Sequence, residues 1–222
     1  MATYLTYSSL VTDVTNYIER GGSAVADPTV YQQIPRLINN AERNIMQALK
    51  LLGTLETLID NTGLAQGVAV IAKPDRWRVT VSLLYGSGAD GNTRVQLLPR
   101  SYEYCRNVWP NDSTQDITQP PLYYSDFGLS NWLIAPTPPA TYPLEVNAYM
   151  QPMLLDNANQ TNFWCNYTPL LLLYETLLET TPFLKNDERI PTWERMRDFQ
   201  LSTLNTQDLQ RILDRTAERT RP

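Results

Sequence analysis

Apolar positions along the chain follow a helical spacing near both ends and an alternating spacing between them. The first helix places four of them on one face: Leu10, Val11, Val14 and Ile18. The second follows the i, i+3, i+4, i+7 rule: Ile34, Leu37, Ile38, Ala41, Ile45, Ala48 and Leu52. Ser8 or Ser9 is the expected N-cap of the first helix, and Gly53 is the expected end of the second. Two amphipathic helices need a third element to cover their apolar faces.

The stretch PLLLLYETLLE, which begins at Pro169, supplies that element. Thr168 is the expected N-cap, Pro169 suits the first helical position because its missing N–H costs nothing there, and Pro182 ends the helix. A membrane-spanning helix needs roughly 20 apolar residues, and this run is interrupted at Glu175. No membrane is therefore expected as a partner, and the helix is predicted to lie buried at the centre of a bundle.

Between the helical parts the chain is rich in β formers and turn residues. The predicted strands are residues 67–72, 77–84, 95–98, 122–127, 132–135 and 144–150. In the last strand the apolar positions alternate with more polar ones: Leu144, Val146, Ala148 and Met150. The loop YGSGADGNT, residues 85–93, favours a hairpin turn, and residues 101–109 are predicted to form one or two helical turns.

The pattern as a whole predicts an α+β fold, in which N- and C-terminal helices form a helical bundle and an antiparallel β domain of five or six short strands is inserted. The predicted divisions of the chain are 1–60 (N-terminal part of the bundle), 61–160 (inserted β domain), 161–205 (C-terminal part of the bundle) and 206–222 (C-terminal docking arm).

The C-terminal segment has a small apolar face that the core does not explain. A helix that restarts at Pro191 carries Trp193, Met196, Phe199, Leu201 and Leu204. The apolar spacing breaks in NTQDLQRILDR and resumes beside arginines: Leu209, Arg211, Ile212, Leu213, Arg215 and Arg219. This arrangement suits docking onto another chain, and a frayed terminal helix is the alternative.

Composition narrows the function classes. The 18 Lys+Arg and 23 Asp+Glu give a net charge of −5, so the balance offers no basic face for binding nucleic-acid phosphates. The absence of histidine removes histidine-based catalysis and histidine metal sites. The two cysteines, Cys105 and Cys165, are predicted to be buried thiols. The N-terminus lacks the features of a signal peptide, so the protein is expected to stay in the cytoplasm where it is made.

No motif points strongly to catalysis, and neither an enzymatic activity, a cofactor nor a metal is expected. Gly86, Gly88 and Gly91 have the spacing of a dinucleotide-binding loop, but another strand follows where that motif needs a helix. The pairs Asp112 with Asp116 and Glu175 with Glu179 are interpreted as solvated surface or interface charge. Lys50, Lys73 and Lys185 show no sequence context that would suit a catalytic lysine. Aromatic residues mostly occur at strand spacing, which favours core or subunit contact.

Three stretches, in this order, resemble the head-to-tail adaptor family of tailed bacteriophages, also called connectors, or tail tubular protein A in short-tailed phages. They are IPRLINNAERNI, PLYYSDFGLSNWLIAPTPPATYPLEVNAYMQP and TNFWCNYTPLLLLYETLLETTPFLKNDERIPTWERM. The similarity covers about residues 30–205, and its most specific part is the third stretch. Pro191 departs from the family pattern, which is more continuously helical at this point.

The resemblance implies a ring, typically of twelve copies, that attaches beneath the portal after genome packaging, seals the exit for DNA and provides the platform for the tail. It implies as partners other copies of this chain, the portal protein and a tail or nozzle protein. Genomic DNA would pass through the lumen without specific binding, which suits an acidic chain. The location implied is the head–tail junction of the virion, after assembly in the host cytoplasm.

Two sets of contact residues follow from the resemblance together with the pattern. The portal-binding candidates are the apolar face and arginines of the C-terminal segment named above. The tail-side candidates lie in the loops 85–93 and 110–121: Gly86, Gly88, Asp90, Gly91, Asn111, Asp112 and Asp116.

Other functions stay open at this point. A different ring near the portal, such as a head-completion or tail-terminator protein, would share the same general pattern. A carbohydrate-binding tail module would use Trp77, Trp109 and Trp132. A hydrolase would have to use carboxylates such as Asp112 and Asp116.

Overall fold

The computed structural model describes residues 5–19, 28–49, 54–86, 93–112, 119–184 and 187–219, with residues 28, 29 and 211–219 described by their backbone alone. Within these residues the chain forms six α-helices and a seven-stranded sheet, which confirms the α+β class. The helices are α1 (Tyr7–Ile18), α2 (Pro28–Ala48), α3 (Tyr102–Val108), α4 (Phe163–Tyr167), α5 (Pro169–Glu179) and α6 (Ile190–Arg219). The strands are β1 (Leu55–Leu64), β2 (Val70–Ala72), β3 (Trp77–Tyr85), β4 (Val95–Pro99), β5 (Tyr123–Ser125), β6 (Asn131–Ala135) and β7 (Tyr142–Met150).

The chain divides into two compact units. A helical unit combines Met1–Thr54 with Pro152–Pro222, and a β unit contains Leu55–Gln151. The four-part division with a separate docking arm stays a prediction. None of the helices in the described ranges is both long and apolar enough to cross a membrane.

Helix α5 is the most deeply buried element of the helical unit. Leu171, Leu172 and Leu177 are fully buried, and α5 contacts α1, α2, α4 and α6. Apolar side chains from all five helices form one cluster. The helix begins at Pro169 and ends at Glu179 as predicted, although Thr168 makes no capping hydrogen bond through its side chain. Each buried leucine contributes about 1.5–3 kcal/mol, so this helix provides much of the stability of the unit.

The ends of the first two helices differ from the prediction. The N-cap of α1 is Thr6, not Ser8 or Ser9. Thr6 Oγ1 accepts a hydrogen bond from Ser9 N–H at 3.1 Å, and Ser9 Oγ accepts one from Thr6 N–H at 2.8 Å. This reciprocal capping box satisfies two backbone donors, which a cap at Ser9 alone would not do. Helix α2 starts at Pro28 and ends at Ala48, and the predicted stop at Gly53 lies outside the described residues.

Glu42 on α2 is a buried carboxylate that joins α2 to the chain leading into α4. Its Oε2 accepts a hydrogen bond from Leu155 N–H at 3.0 Å, and its Oε1 accepts one from Asn162 Nδ2. Asn162 also caps α4, because its Oδ1 accepts from Trp164 N–H at 3.0 Å. Burial raises the pKa of Glu42 to about 7, against the opposing effect of these hydrogen bonds. The apolar pattern of α2 gave no sign of this network.

The β unit is built on the single sheet, with strand order β1-β7-β3-β4-β5-β6-β2. Strands β3 and β4 form the predicted hairpin, in which Tyr85 pairs with Val95. The predicted alternation in β7 is confirmed, because its four apolar positions are buried. They pack in a cluster with residues such as Leu83, Leu97 and Trp132.

The prediction missed β1 by assigning residues 55–60 to the helical part of the chain. This edge strand pairs with β7 alone, in an antiparallel register that runs from Leu55 opposite Tyr149 to Leu64 opposite Tyr142. Most of its side chains are exposed or half-buried, so the sequence lacks the two-residue alternation of a strand with one buried face. Gly63 allows the close approach to β7, since a Cβ atom there would lie 2.6 Å from Leu144 Cβ.

The prediction of a fully antiparallel domain with five or six strands was also wrong. The sheet has seven strands within the described residues, and β4 pairs with β5 in parallel, with Leu98 opposite Tyr123. The chain between these strands contains α3 and the loop after it. Such a crossover brings the chain back in the same direction, which a tight hairpin cannot do.

We expect Leu172→Asp to unfold the helical unit, because it places an unpaired carboxylate in a fully buried position at a cost of about 4 kcal/mol or more. The matched control is Leu170→Asp, two residues earlier on the same helix, where the side chain is 49% exposed. Circular dichroism and urea titration check the pair. A Leu172→Asp protein that is as stable as the Leu170→Asp protein would contradict the buried position of this helix face.

We expect the Glu42 carboxyl to make stability fall as pH rises. Because the folded-state pKa is about 7 and the ordinary value is 4.5, its contribution is fully present below about pH 4.5 and is lost between there and pH 7. The loss is roughly 3 kcal/mol, taking about 1.4 kcal/mol per pKa unit. Glu42→Gln should remove this slope, whereas the exposed control Glu103→Gln should keep it. Urea unfolding at pH 5 and pH 8 measures the difference; equal slopes in wild type and Glu42→Gln would contradict the assignment.

Candidate docking surfaces

The backbone of α6 continues without a break from Ile190 to Arg219, so the portal-binding candidates lie on a helix. Leu209 is 53% exposed, and its role in docking stays a prediction. The side chains of Arg211, Ile212, Leu213, Arg215 and Arg219 lie outside the described part of the chain. At about 1.5 Å per residue the helix is roughly 45 Å long, nearly three times the length of α5.

Along its described side chains, α6 packs into the helical unit through one face, which reaches as far as the buried Asp208. Trp193 is buried, whereas Met196 and Phe199 are exposed, so these two predicted helix residues do not belong to the core. An ion pair between Arg197 and Glu175, at 3.6 Å, joins α6 to α5. Glu175 is buried and also accepts a hydrogen bond from Asn44 Nδ2 at 3.2 Å. Of the two alternatives given for Glu175, solvated surface charge was therefore wrong, because the carboxylate links three helices; interface charge stays a prediction.

The first predicted tail-side loop follows β3. Gly86 has a φ angle of 98°, and a Cβ atom there would lie 2.5 Å from the carbonyl oxygen of Thr93. Glycine is required at this position for the chain to turn towards β4. Gly88, Asp90 and Gly91 lie outside the described residues.

The second predicted tail-side loop follows α3. Asn111 and Asp112 are exposed, and Asp112 forms an ion pair with Arg106 on α3. Asp116 lies outside the described residues, so the pair Asp112 with Asp116 stays a prediction. No hydrogen bond or ion pair described for the chain joins Gly86 to Asn111 or Asp112.

Lys73 is a buried cation that sequence reasoning missed. Its Nζ lies 2.5 Å from Asp126 Oδ1 and 2.6 Å from the carbonyl oxygen of Gly128, to which it donates. It also lies 3.5 Å from the centre of the Trp77 ring. Lys73 therefore fixes the turn between β5 and β6 through charge, hydrogen bonding and a cation–π contact.

A group of arginine and aromatic side chains, most of them exposed and two of them partly buried, lies on and around α3, and we call it the arginine–aromatic surface. Its members are Arg100, Tyr102, Tyr104, Trp109, Tyr123 and Phe127. The Arg100 guanidinium lies 5.5 Å from the ring centres of both Tyr104 and Tyr123. The ring centres of Tyr102 and Phe127 are 4.9 Å apart. Arginine, tyrosine and tryptophan are the residues that dominate protein–protein contacts. Sequence reasoning treated the aromatic residues together and did not locate this surface.

Two of the three tryptophans named for a sugar-binding platform have little ring surface free to bind a sugar. Trp132 is fully buried, and the cation of Lys73 covers one face of Trp77.

Both predicted thiols, Cys105 and Cys165, are buried and free, and burial raises the pKa of each.

A family-model match over residues 5–221 identifies this chain as a phage adaptor protein. The family is described as SU10 adaptor protein, and the chain belongs to it. Membership implies a structural virion component that interacts with other virion components of the phage. No protein with curated information matches the chain.

We expect Lys73→Met to lower the free energy of unfolding by about 1–3 kcal/mol, because it leaves the Asp126 carboxylate without its cation. The value is below that for a fully buried pair, since the Asp126 side chain is 34% exposed. Arg94→Met is the control: it removes the partner of Glu145 from a pair whose arginine is 49% exposed, and about 0–1 kcal/mol is expected. Urea unfolding of both variants checks this order, and equal losses would contradict it.

Proposed function

We propose that this chain is a head-to-tail adaptor of the connector type, similar to tail tubular protein A of short-tailed phages. It docks beneath the portal after genome packaging, seals the exit for DNA and provides the platform on which the tail is attached. The observation that carries the proposal is the match to a phage adaptor family over nearly the whole chain. The proposed role is structural rather than enzymatic.

The proposed assembly is a ring, with twelve copies as the expected number, at the head–tail junction. A ring requires heterologous contacts, in which one face of each copy meets a different face of the next. In the proposal the helices of the helical unit form the bundle into which the β unit is inserted. Copies assemble in the host cytoplasm and contact the portal on one side and a tail or nozzle protein on the other.

The C-terminal half of α6 is the proposed portal-docking element. Support comes from Leu209, which is exposed, and from the length of α6, which has 30 residues whereas α5 has 11. Its arginines, Arg211, Arg215 and Arg219, suit an acidic or polar portal surface. The loops that contain Gly86, Asn111 and Asp112 are the proposed contacts on the tail side.

The net charge of −5 supports a lumen through which DNA passes without binding. Like charges on the protein and on the phosphates raise the free energy of adsorption. DNA is therefore proposed as cargo of the assembly and not as a ligand.

We expect native mass spectrometry with the portal ring of the same phage to show a ring's worth of copies bound per portal ring. A chain that ends at Asn205 should add none, because it lacks the docking element. Leu209→Asp should also prevent binding, whereas Leu170→Asp, at a position of similar exposure on α5, should not. Failure of the full chain to bind the portal would remove the proposal and favour a tail-terminator role.

A further inference from the structure

The two ends of the sheet face each other across a groove, which we call the β1–β2 groove. It has a volume of about 490 Å³, and its lining residues come from both edge strands, among them Leu58 and Asp60 of β1 and Val70 and Ala72 of β2. The two strands are joined by only five residues, 65–69, yet within the described residues they do not pair with each other. The sheet is therefore curled towards a barrel that stays open between β1 and β2.

The floor of the groove is the apolar core of the β unit. Four buried members of that core line it: Ile71, Trp132, Leu144 and Val146. Lys73 also lines the groove, but its side chain is only 2% exposed and its charge is neutralised by Asp126. At the rim, Val68 and Val70 are 42% and 39% exposed. A ligand that enters the groove therefore meets mainly apolar side chains.

Hydrogen bonds at both ends of β2 hold this strand beside β6. The N–H of Lys73 donates to the carbonyl oxygen of Ser130 at 2.8 Å, and the N–H of Ile134 donates to that of Ala69 at 2.7 Å. These bonds fix the free edge of β2 in an extended conformation before any partner binds. Such preorganisation lowers the entropic cost of binding.

The register shows which backbone groups of β2 face the groove. In an antiparallel pair, positions bonded to the neighbouring strand alternate with positions whose backbone groups point away from it. Ala69 and Lys73 are bonded to the chain of β6, and so Ile71, midway between them in the same register, is bonded to it as well. Val70 and Ala72 therefore direct their N–H and carbonyl groups away from β6. No strand in the described part of the chain lies on that side of β2, so two donors and two acceptors are open to a partner.

This edge has the chemistry of a site for strand addition. In that mode of recognition, the backbone of an extended peptide pairs with a free edge, and pockets accept its alternate side chains. The usual protection of an edge by an outward-pointing lysine is absent, because Lys73 is turned towards Asp126. A strand occupies roughly 160 Å³ per residue at the usual spacings, so the groove has room for about three residues.

The described strands of a second copy of this chain do not suit the groove. The two free edges of that copy, β1 and β2, are walls of its own groove, and each of its other described strands already has a neighbour on both sides. The occupant is therefore expected to be an extended segment of a different protein. Other virion components are the available candidates, because the family of this chain interacts with them.

We propose that an extended segment of another virion protein adds to β2 in the β1–β2 groove as a further strand. Its backbone pairs with Val70 and Ala72, and its apolar side chains, at every second position, lie on the core residues of the floor. The inference deepens the proposed function and rests on it in so far as it requires the chain to be assembled in the virion.

Hydrogen exchange of the unaltered chain tests the pairing. The amides of Val70, Ile71 and Ala72 are followed by mass spectrometry at residue resolution, in the purified chain and in intact virions of the same phage. We expect the exchange of Val70 and Ala72 to be slowed about tenfold or more in the virion, because their N–H groups donate to the added strand. The Ile71 amide, which is already bonded to β6, is the internal control and should change less.

Photo-cross-linking identifies the occupant. Val68→p-benzoylphenylalanine places the cross-linker at the rim of the groove, and in virions it should link to a segment of a different virion protein. Adding Val70→Pro should reduce the product about tenfold, because it removes one outward N–H and leaves the pairing with β6 in place. The matched control is Val70→Thr, which keeps the N–H and the branched shape and should keep the product.

Three outcomes would overturn the proposal. They are unchanged exchange at Val70 and Ala72, equal slowing at Ile71, and a cross-link to a second copy of this chain. The exchange measurement decides even if Val70→Pro does not fold, because it uses the unaltered chain. A chain that binds the portal ring without slowed exchange at β2 would keep the adaptor function and lose this site, whereas slowed exchange and cross-linking without portal binding would do the reverse.

Discussion

Burial of the apolar helix α5 is the interaction on which the helical unit depends. It follows the β unit in the chain, yet its main contacts include α2, which precedes the β unit by sequence. The β unit lies between these two helices in the chain, so α2 and α5 can meet most easily if the first and last residues of the β unit lie close together. Strands β1 and β7 achieve this, because Leu55 at the start of the β unit pairs with Tyr149 near its end. The insertion therefore adds little to the entropic cost of bringing α2 and α5 together.

Buried carboxylates then specify which helices meet and in what register. Glu42 on α2 accepts from the backbone at Leu155 and from Asn162, and Glu175 on α5 contacts Asn44 on α2 and Arg197 on α6. Apolar contacts alone would tolerate sliding of α5 along its neighbours. A shift of one helical turn would leave these carboxylates without partners, which is costly in a buried position.

Sequence reasoning was most successful where burial alone determines the structure. The period of α2 from Ile34 to Ile45, the boundaries of α5 and the alternation in β7 each follow from one buried face, and all were predicted. Ala48, predicted on the same face of α2, is exposed. Strand β1 was missed because an edge strand with exposed side chains has no such period. The buried Lys73 and Glu42 were missed for a related reason: their partners, Asp126 and Leu155, are 53 and 113 residues away in sequence. The arginine–aromatic surface was not located because only the fold brings Arg100, Tyr123 and Phe127 together.

The exposed features of the two units differ in a way that suits different contacts. On α6 the exposed apolar side chains lie along one long helix, a geometry that fits a groove on a partner. The β unit instead has the arginine–aromatic surface, in which the Arg100 guanidinium lies beside the rings of Tyr104 and Tyr123. An adaptor that contacts more than one virion component can use these two features for different partners, because one is a face of a long helix and the other is a compact surface of the β unit.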